Sequence, residues 1–317
     1  MDVIAIGETM ISLTPGSRGL MRNATSFIPK IAGAETNTLI GLSRLGHQTG
    51  WVSQLGDDEL GAMVLKEVRG EGVDTTYVKL DSTKNTGVFF KEIADSSDVR
   101  VFYYRKKSAA SFMNPEILNE SYIANAKYLF ISGITPAISK TCRKTIFRAI
   151  QIAQENDVQI VFDPNVRRKL WEEKEAKETL LQIIEQSDII LPGKNEGKFI
   201  FGDENCEQIG KACIKLGTKL AVVKLGDQGA YFTTKNSEGY VPAYPVPKVI
   251  DPVGAGDAFA TGLLSGLLDK LSIKDAVDRA CLTGAIATTF TGDYEGLPDR
   301  KLLQQYKKIE NREDVER

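Results

Sequence analysis

The stretch Asp251-Pro252-Val253-Gly254-Ala255-Gly256-Asp257-Ala258-Phe259 decides how this chain is read. A turn of small residues runs straight into a helical pattern, Ala258 to Leu268. The first N–H groups of a helix have no partner within it, and the helix dipole adds positive potential there. Such a turn is therefore an anion site. Asp257 stands among those donors as a carboxylate able to take a proton from a hydroxyl held nearby. An anion site beside a base is what moving a phosphoryl group onto an alcohol requires. Alone, the turn also reads as an ordinary helix cap, since Gly and Asp are common at helix starts.

The rest of the chain supplies an α/β frame for that turn. Short apolar runs at Val3–Gly7, Trp51–Leu55, Tyr128–Ser132, Gln159–Asp163, Ile189–Leu191 and Leu220–Lys224 read as strands. Helical patterns fall between them at Asn37–Leu45, Glu59–Glu71, Ser139–Asn156, Lys174–Gln186 and Cys206–Leu216. The alternation predicts a mostly parallel sheet with helices on both faces and ligands at the strands' carboxyl ends. Thr86–Ile93 and Val99–Arg105, joined by the polar turn Ala94–Asp98, read as a hairpin. With Met10–Ile31 it is expected to form a small sheet, a lid spanning about 10–31 and 86–105, on a single domain covering 1–317. The charged tail after Tyr306 either frays or extends a last helix.

Composition narrows the function classes. At 317 residues, 42% hydrophobic and 26% charged, the chain has the make-up of a soluble globular protein. A net charge of −2 gives no reason to expect nucleic acid, and no apolar run is long enough to span a bilayer. Cys142, Cys206, Cys213 and Cys281 lack zinc-ligand spacing, and Met1–Gly7 lacks the features of a signal peptide. A cytoplasmic location with reduced thiols is expected. The single histidine, His47, falls between a helix and a strand and reads as a surface or turn residue.

Several other segments could carry chemistry. Ala32-Gly33-Ala34-Glu35-Thr36-Asn37 precedes the first helical pattern, and Asn37 offers both a donor and an acceptor to a polyol. Asp163-Pro164-Asn165-Val166-Arg167 follows a strand, and Arg167 could grip a carboxylate or phosphate with two hydrogen bonds, or pair with Asp163 for structure. Lys224-Leu225-Gly226-Asp227-Gln228-Gly229 follows another strand and could equally be a hairpin turn. Tyr103 and Arg105 fall on the same side of a strand, a hydroxyl and a guanidinium suited to a ligand with hydroxyls and a carboxylate. No P-loop, HRD or DFG sequence is present, which disfavours those routes to phosphoryl transfer.

Taken together, these segments resemble the ribokinase-like (PfkB) carbohydrate kinases, whose second signature reads roughly Asp-Pro-x-Gly-Ala-Gly-Asp. The resemblance runs from about Val3 to Pro298 and includes a Gly-rich turn with Asn and a helix ending in Arg44-Leu45-Gly46. It implies a three-layer α/β/α sandwich with a β-sheet lid, and ATP and Mg2+ as cofactors, with monovalent-ion activation left open. By the same resemblance Asp257 is the general base and Gly254, Ala255 and Gly256 the anion hole. Asn165, Lys224, Gly226, Asp227 and Gly229 would lie by the nucleotide, and Glu196 would organise magnesium through water. Gly193 stands where the family's metal motif has Asn, and Asn195 is the candidate to take over its role.

Tyr103–Arg105, Ser132–Pro136 and Thr291–Gly296 resemble the family's 2-keto-3-deoxygluconate kinases in particular. That implies a sugar-acid site of Gly33, Ala34, Glu35, Thr36, Asn37, Phe89, Tyr103, Tyr104, Arg105, Arg167, Asp257 and Asp293. Phe89 departs from the tyrosine common there. The implied reaction is ATP-dependent phosphorylation of 2-keto-3-deoxygluconate at its 6-hydroxyl, with homo-oligomers formed through the lid. Alternatives are a kinase for a neutral sugar such as fructose or ribose, a catalytically silent sugar-binding regulator, and a dinucleotide-binding enzyme. The last lacks GxGxxG after the first strand, where Gly7-Glu8-Thr9-Met10 stands.

Overall fold

Two sheets organise the molecule, and the computed structural model describes residues 1–17, 19–95 and 98–313. The large sheet has nine strands: β1 (Val3–Ile6), β4 (Thr49–Gly56), β5 (Val78–Asp81), β8 (Tyr128–Ser132), β9 (Gln159–Asp163), β10 (Ile189–Ile190), β11 (Leu220–Lys224), β12 (Ala230–Thr233) and β13 (Glu238–Val241). Their order is β13-β12-β11-β10-β9-β8-β1-β4-β5. Strands β1, β4, β5 and β8 to β11 pair in parallel, and β12 and β13 add antiparallel at one edge.

Side chains alternate along these strands, and both faces are buried. Val3, Ala5, Trp51, Phe130, Val161 and Val222 pack on one face, against the helices Ala34–Arg44, Glu59–Gly70, Ala255–Leu268 and Ile273–Ala287. Ile4, Ile6, Val52, Leu129, Ile131, Ile160, Phe162 and Ala221 pack on the other, against Lys140–Glu155, Glu173–Ile184, Lys194–Phe201 and Cys206–Lys215. The fold is a ribokinase-like α/β/α sandwich, and helix–sheet–helix layering is the reason both residues of each strand pair are apolar.

The small sheet runs β3-β2-β6-β7, from β2 (Met10–Pro15), β3 (Phe27–Ala32), β6 (Val88–Asp95) and β7 (Asp98–Tyr104). The polar turn expected at Ala94–Asp98 falls partly outside the described residues. The register places Met10 opposite Ala32, Ser12 opposite Phe89, and Phe89 opposite Tyr103, all on one face with Lys91 and Val101. Period two puts Phe90, Phe102 and Tyr104 on the opposite face.

Most expected elements match within two residues, with one consequential difference. The first helix begins at Ala34 rather than Asn37, because Gly33 is extended (φ −167°) and serves as its N-cap. Glu35 and Asn37 therefore both sit in the opening turns. His47 follows the helix, as a turn residue should, yet its ring is buried and Nε2 lies 2.9 Å from Ser265 Oγ. The last helix runs Arg300–Glu313. Among the described residues, no helix is long and apolar enough to cross a membrane.

Candidate active site

The carboxyl ends of β1, β8, β9 and β11 converge on the turn before the helix Ala255–Leu268. Gly254 takes a left-handed conformation (φ 80°), and a Cβ there would overlap the Asp293 carbonyl oxygen. Only glycine lets the chain turn into the helix while lying against that loop. Ala255 N donates to the Pro252 carbonyl at 3.4 Å, and the next residues of the first turn, Gly256 and Asp257, line a cavity.

Asp257 sits in that first turn, at the cavity wall. Asn37 Nδ2 donates to Asp257 Oδ2 at 2.7 Å, joining two signature segments 220 residues apart. Their helices pack closely, with Thr261 Oγ1 donating to the Thr38 carbonyl at 3.2 Å and filling the space beside Gly41. Burial pushes the Asp257 carboxyl up to about 8; the Asn37 bond opposes this, and the neighbouring Asp163 and Asp293 carboxylates add to it. A carboxylate so placed has the proton affinity of a useful base near neutral pH. Asn37 Oδ1 is buried without a partner among the described residues, an acceptor left for a ligand hydroxyl.

The cavity, about 410 Å³, is lined by Gly33, Ala34, Glu35, Asn37, Phe89, Tyr103, Arg105, Asn165, Arg167, Glu196, Lys224, Gly254, Gly256, Asp257 and Asp293. Thr36 lies behind the wall, with Oγ1 2.8 Å from Thr9 Oγ1. Tyr104 lies on the outer face of the small sheet and is 66% exposed, so the alternation that aims Tyr103 inward aims its neighbour away.

Charge in the cavity is arranged in layers. Arg105 is buried and ion-paired with Glu8, whose Oε1 also accepts from Ser108 Oγ at 2.6 Å. Arg105 Nε is left without a partner among the described residues. Sequence reading did not single out Glu8; the signal was its place directly after β1, at the ligand edge of the sheet. Arg167 is exposed and forms no ion pair among the described residues. Glu35 is buried beneath, accepting from Ser132 Oγ and Thr135 Oγ1, both at 2.7 Å, and burial raises its pKa. Gly7 makes room for this carboxyl, since a Cβ there would overlap it. Asp293 is pushed up to about 6, chiefly by burial, with Lys91 opposing.

Asp163 pairs with Lys224 rather than Arg167, at 2.9 and 2.7 Å. Against the desolvation of burial, the Asp163 and Glu196 carboxylates hold the Lys224 ammonium above its usual range. Glu196 spends its oxygens on backbone donors, Val166 N at 2.9 Å and Gly193 N at 2.7 Å. Asn195 is exposed and does not line the cavity. Among the described residues, no group of three His, Cys, Asp or Glu side chains is arranged to hold a metal directly. The oxygen donors Asp163, Asn165 and Glu196 facing the cavity suit a hard cation arriving with phosphate and keeping its water, which is how Mg2+ is usually bound.

A second cleft, about 630 Å³, meets the first at Lys224, Pro252 and Gly256. Gly226, Asp227, Gly229 and Ala255 line it, with apolar walls from Tyr244, Val246, Val249 and Phe259. These walls were not legible in the sequence. Ala243–Val249 has no periodicity to mark it, and Gly284, in the middle of a helix where glycine is disfavoured, was the one available signal.

The model of the pfkB family carbohydrate kinases matches residues 1–300. The chain belongs to this family. Among curated pfkB-type relatives it is 37% identical over 308 residues to the 2-dehydro-3-deoxygluconokinase of Bacillus subtilis (strain 168), covering 96% of this chain and 95% of that protein. It is 34% identical over 319 residues to fructokinase-1 of Zea mays, covering 96% and 98%. A solved PfkB protein from Polaromonas sp. JS666 superposes with a TM-score of 0.89 at 38% identity, over 96% of this chain and 99% of that one. The chain is thus a carbohydrate kinase, a phosphotransferase with an alcohol acceptor.

Proposed function

We propose that the chain transfers the terminal phosphoryl group of ATP to the 6-hydroxyl of 2-keto-3-deoxygluconate, giving 2-keto-3-deoxy-6-phosphogluconate. The observation that carries the reading is the meeting of two cavities at Lys224, Pro252 and Gly256, beside Asp257, one polar and ringed by Tyr103, Arg105 and Arg167, the other apolar. The sugar acid occupies the first, its carboxylate facing the guanidinium groups, and the nucleotide base lies in the second. Asp257 takes the hydroxyl proton while the amides at the helix start hold charge on the moving phosphoryl group. Glu196 and Asp163 would hold, through water, the Mg2+ that accompanies ATP, which would supply further charge neutralisation at the phosphates.

Lys224 extends from β11 between the two cavities and brings positive charge to the phosphate path. We also place the protein in the cytoplasm and expect it to form homo-oligomers through the outer face of the small sheet, which exposes Phe102 and Tyr104.

A neutral-sugar kinase is the second reading. Glu8 already neutralises Arg105, and Phe89 offers no hydroxyl, both of which weaken the case for an acid. Initial rates with ATP and Mg2+ on 2-keto-3-deoxygluconate and on fructose separate the two. The proposal expects kcat/KM on the acid to exceed that on fructose by at least tenfold. The reverse order refutes it.

A further inference from the structure

Two lysines of the small sheet reach across to the loops that shape the anion site. Lys30 of β3 is at the rim: its Nζ donates to the Thr291 carbonyl at 3.1 Å and pairs with Glu295 at 2.6 Å, both side chains about a third exposed. Lys91 of β6 is inside: its Nζ lies 2.7 Å from Asp251 Oδ2, with the two side chains only 7% and 8% exposed.

Asp251 opens the catalytic turn and bonds in two directions. Its Oδ1 accepts from Val253 N at 3.1 Å, within the turn, and its Oδ2 from Gly292 N at 3.4 Å, in the loop that carries Asp293. Gly254 lies against the backbone of that same loop. One carboxylate thus ties the turn to the loop, and one ammonium, delivered by the small sheet, is its counterion. The carboxyl groups of Asp257, Asp293 and Glu295 crowd the same region, with Lys30 acting on Asp293 and Lys224 on Asp257. An uncompensated Asp251 would repel both the loop and an incoming phosphate.

We propose that Lys91 is a positioning residue for phosphoryl transfer. Its ammonium holds Asp251 in the geometry that fixes the Gly254–Gly256 turn, so the anion site is fully assembled only when the small sheet is seated over the acceptor. The sheet that closes on the sugar and the turn that carries the phosphoryl group are one mechanical unit, joined by a buried ion pair. The proposal rests on the kinase reading but not on which sugar is the acceptor.

The test uses whichever acceptor the unaltered protein turns over. Lys91→Met is expected to lower kcat roughly 10- to 100-fold while the sugar KM moves only a few-fold, the signature of misplaced catalytic groups. Lys91→Arg should recover most of the loss, and ammonium or methylammonium ions should partly restore Lys91→Ala. Lys30→Met, cutting the exposed pair on the same sheet, should change kcat less than about threefold. A Lys91→Met kcat within about threefold of the parent overturns the proposal, as does a loss that neither arginine nor added cations relieve. Should Lys91→Met fail to fold, the double variant Lys91→Met/Asp251→Asn removes the stranded charge, and parental kcat there overturns it equally. Inactivity of the parent on 2-keto-3-deoxygluconate would refute the acceptor assignment and leave the variant-to-parent ratio to be read on another sugar.

Discussion

The floor and the roof of the acceptor cavity are built on opposite plans. The floor stands at the carboxyl edge of the large sheet, and its charges are partnered inside the protein: Asp163 with Lys224, Asp257 with Asn37, Glu35 with Ser132 and Thr135. The roof is a four-stranded sheet with Phe89 and Tyr103 inward and Phe102 and Tyr104 outward, joined to the catalytic loops by Lys30 and Lys91. Chemistry is assigned to the floor. Choice of acceptor falls to the roof's cavity-facing Phe89 and Tyr103, which make none of the floor's charged pairs, while Lys91 ties the two parts together.

The sharpest way to break that division is at Asp257. Asp257→Asn keeps the shape and the Asn37 contact but removes the base, so kcat should fall about 10²- to 10⁴-fold with sugar binding retained. The same change should raise stability. Asp257 ionises near 3.8 when unfolded and near 8 when folded, so its burial favours folding at low pH and that contribution is lost as pH rises from about 4 to about 8. Asp257 is only half-buried at the cavity wall, so the asparagine gains about 1–2 kcal/mol at pH 7 or above, read as a Tm increase of a few degrees. In the parent, kcat/KM should climb with pH through about 8 as the base loses its proton. Near-parental turnover of the variant would remove Asp257 from its role.

Gly254→Ala tests the floor's geometry without touching its charges. The left-handed backbone strains any side chain, by about 1–3 kcal/mol, and the added methyl meets the Asp293 carbonyl. Stability should drop by about that amount, and kcat about tenfold or more as the turn shifts. A variant that loses stability but keeps kcat would mean that the turn's position tolerates displacement.

Phe89→Tyr addresses the roof, and its effect should be smaller. The hydroxyl would enter the polar cavity beside Tyr103, whose ring centroid is 5.6 Å from that of Phe89. One hydrogen bond to a sugar hydroxyl is worth about 0.5–1.5 kcal/mol, so the acceptor KM should fall about two- to tenfold with kcat nearly unchanged. A change in kcat of the same size would show that the roof does more than select.

This asymmetry also explains what could be read in the sequence. The floor was legible because its residues are local signals: Gly254 and Asp257 in one turn, Asp163 and Lys224 at the ends of apolar strands, Asn37 at a helix start. The partnering was not. That Lys224, rather than Arg167, holds Asp163 depends on the adjacent ends of β9, β10 and β11, a fact of sheet order. Glu8 was invisible as the counterion of Arg105 because 97 residues separate two side chains that the small sheet brings together. Tyr104 shows the limit on the roof: adjacent to Tyr103 in the chain, it lies on the far side of the sheet. The apolar cleft was hidden because its wall, Ala243–Val249, has no periodicity that a sequence could display.

The smallest kinetic effect is expected on the outer face of the roof. Tyr104 is 66% exposed, with its ring edge-on to Phe90 at 5.5 Å, and Phe102 beside it is 41% exposed. Phe90 in turn stacks edge-on with Phe27 at 5.3 Å. An aromatic row on a projecting sheet is the kind of surface that a second copy of the chain would cover. Tyr104→Ser should leave the folded monomer within about 0.5 kcal/mol of the parent, and kcat within about twofold, because the residue faces away from the cavity. Sedimentation is the deciding measurement. A parent that sediments as a dimer and a variant that sediments as a monomer would assign the face to self-association. A parent that stays monomeric would instead put the coupling between roof and floor wholly within one chain, through the buried pairs of Lys91 and Arg105.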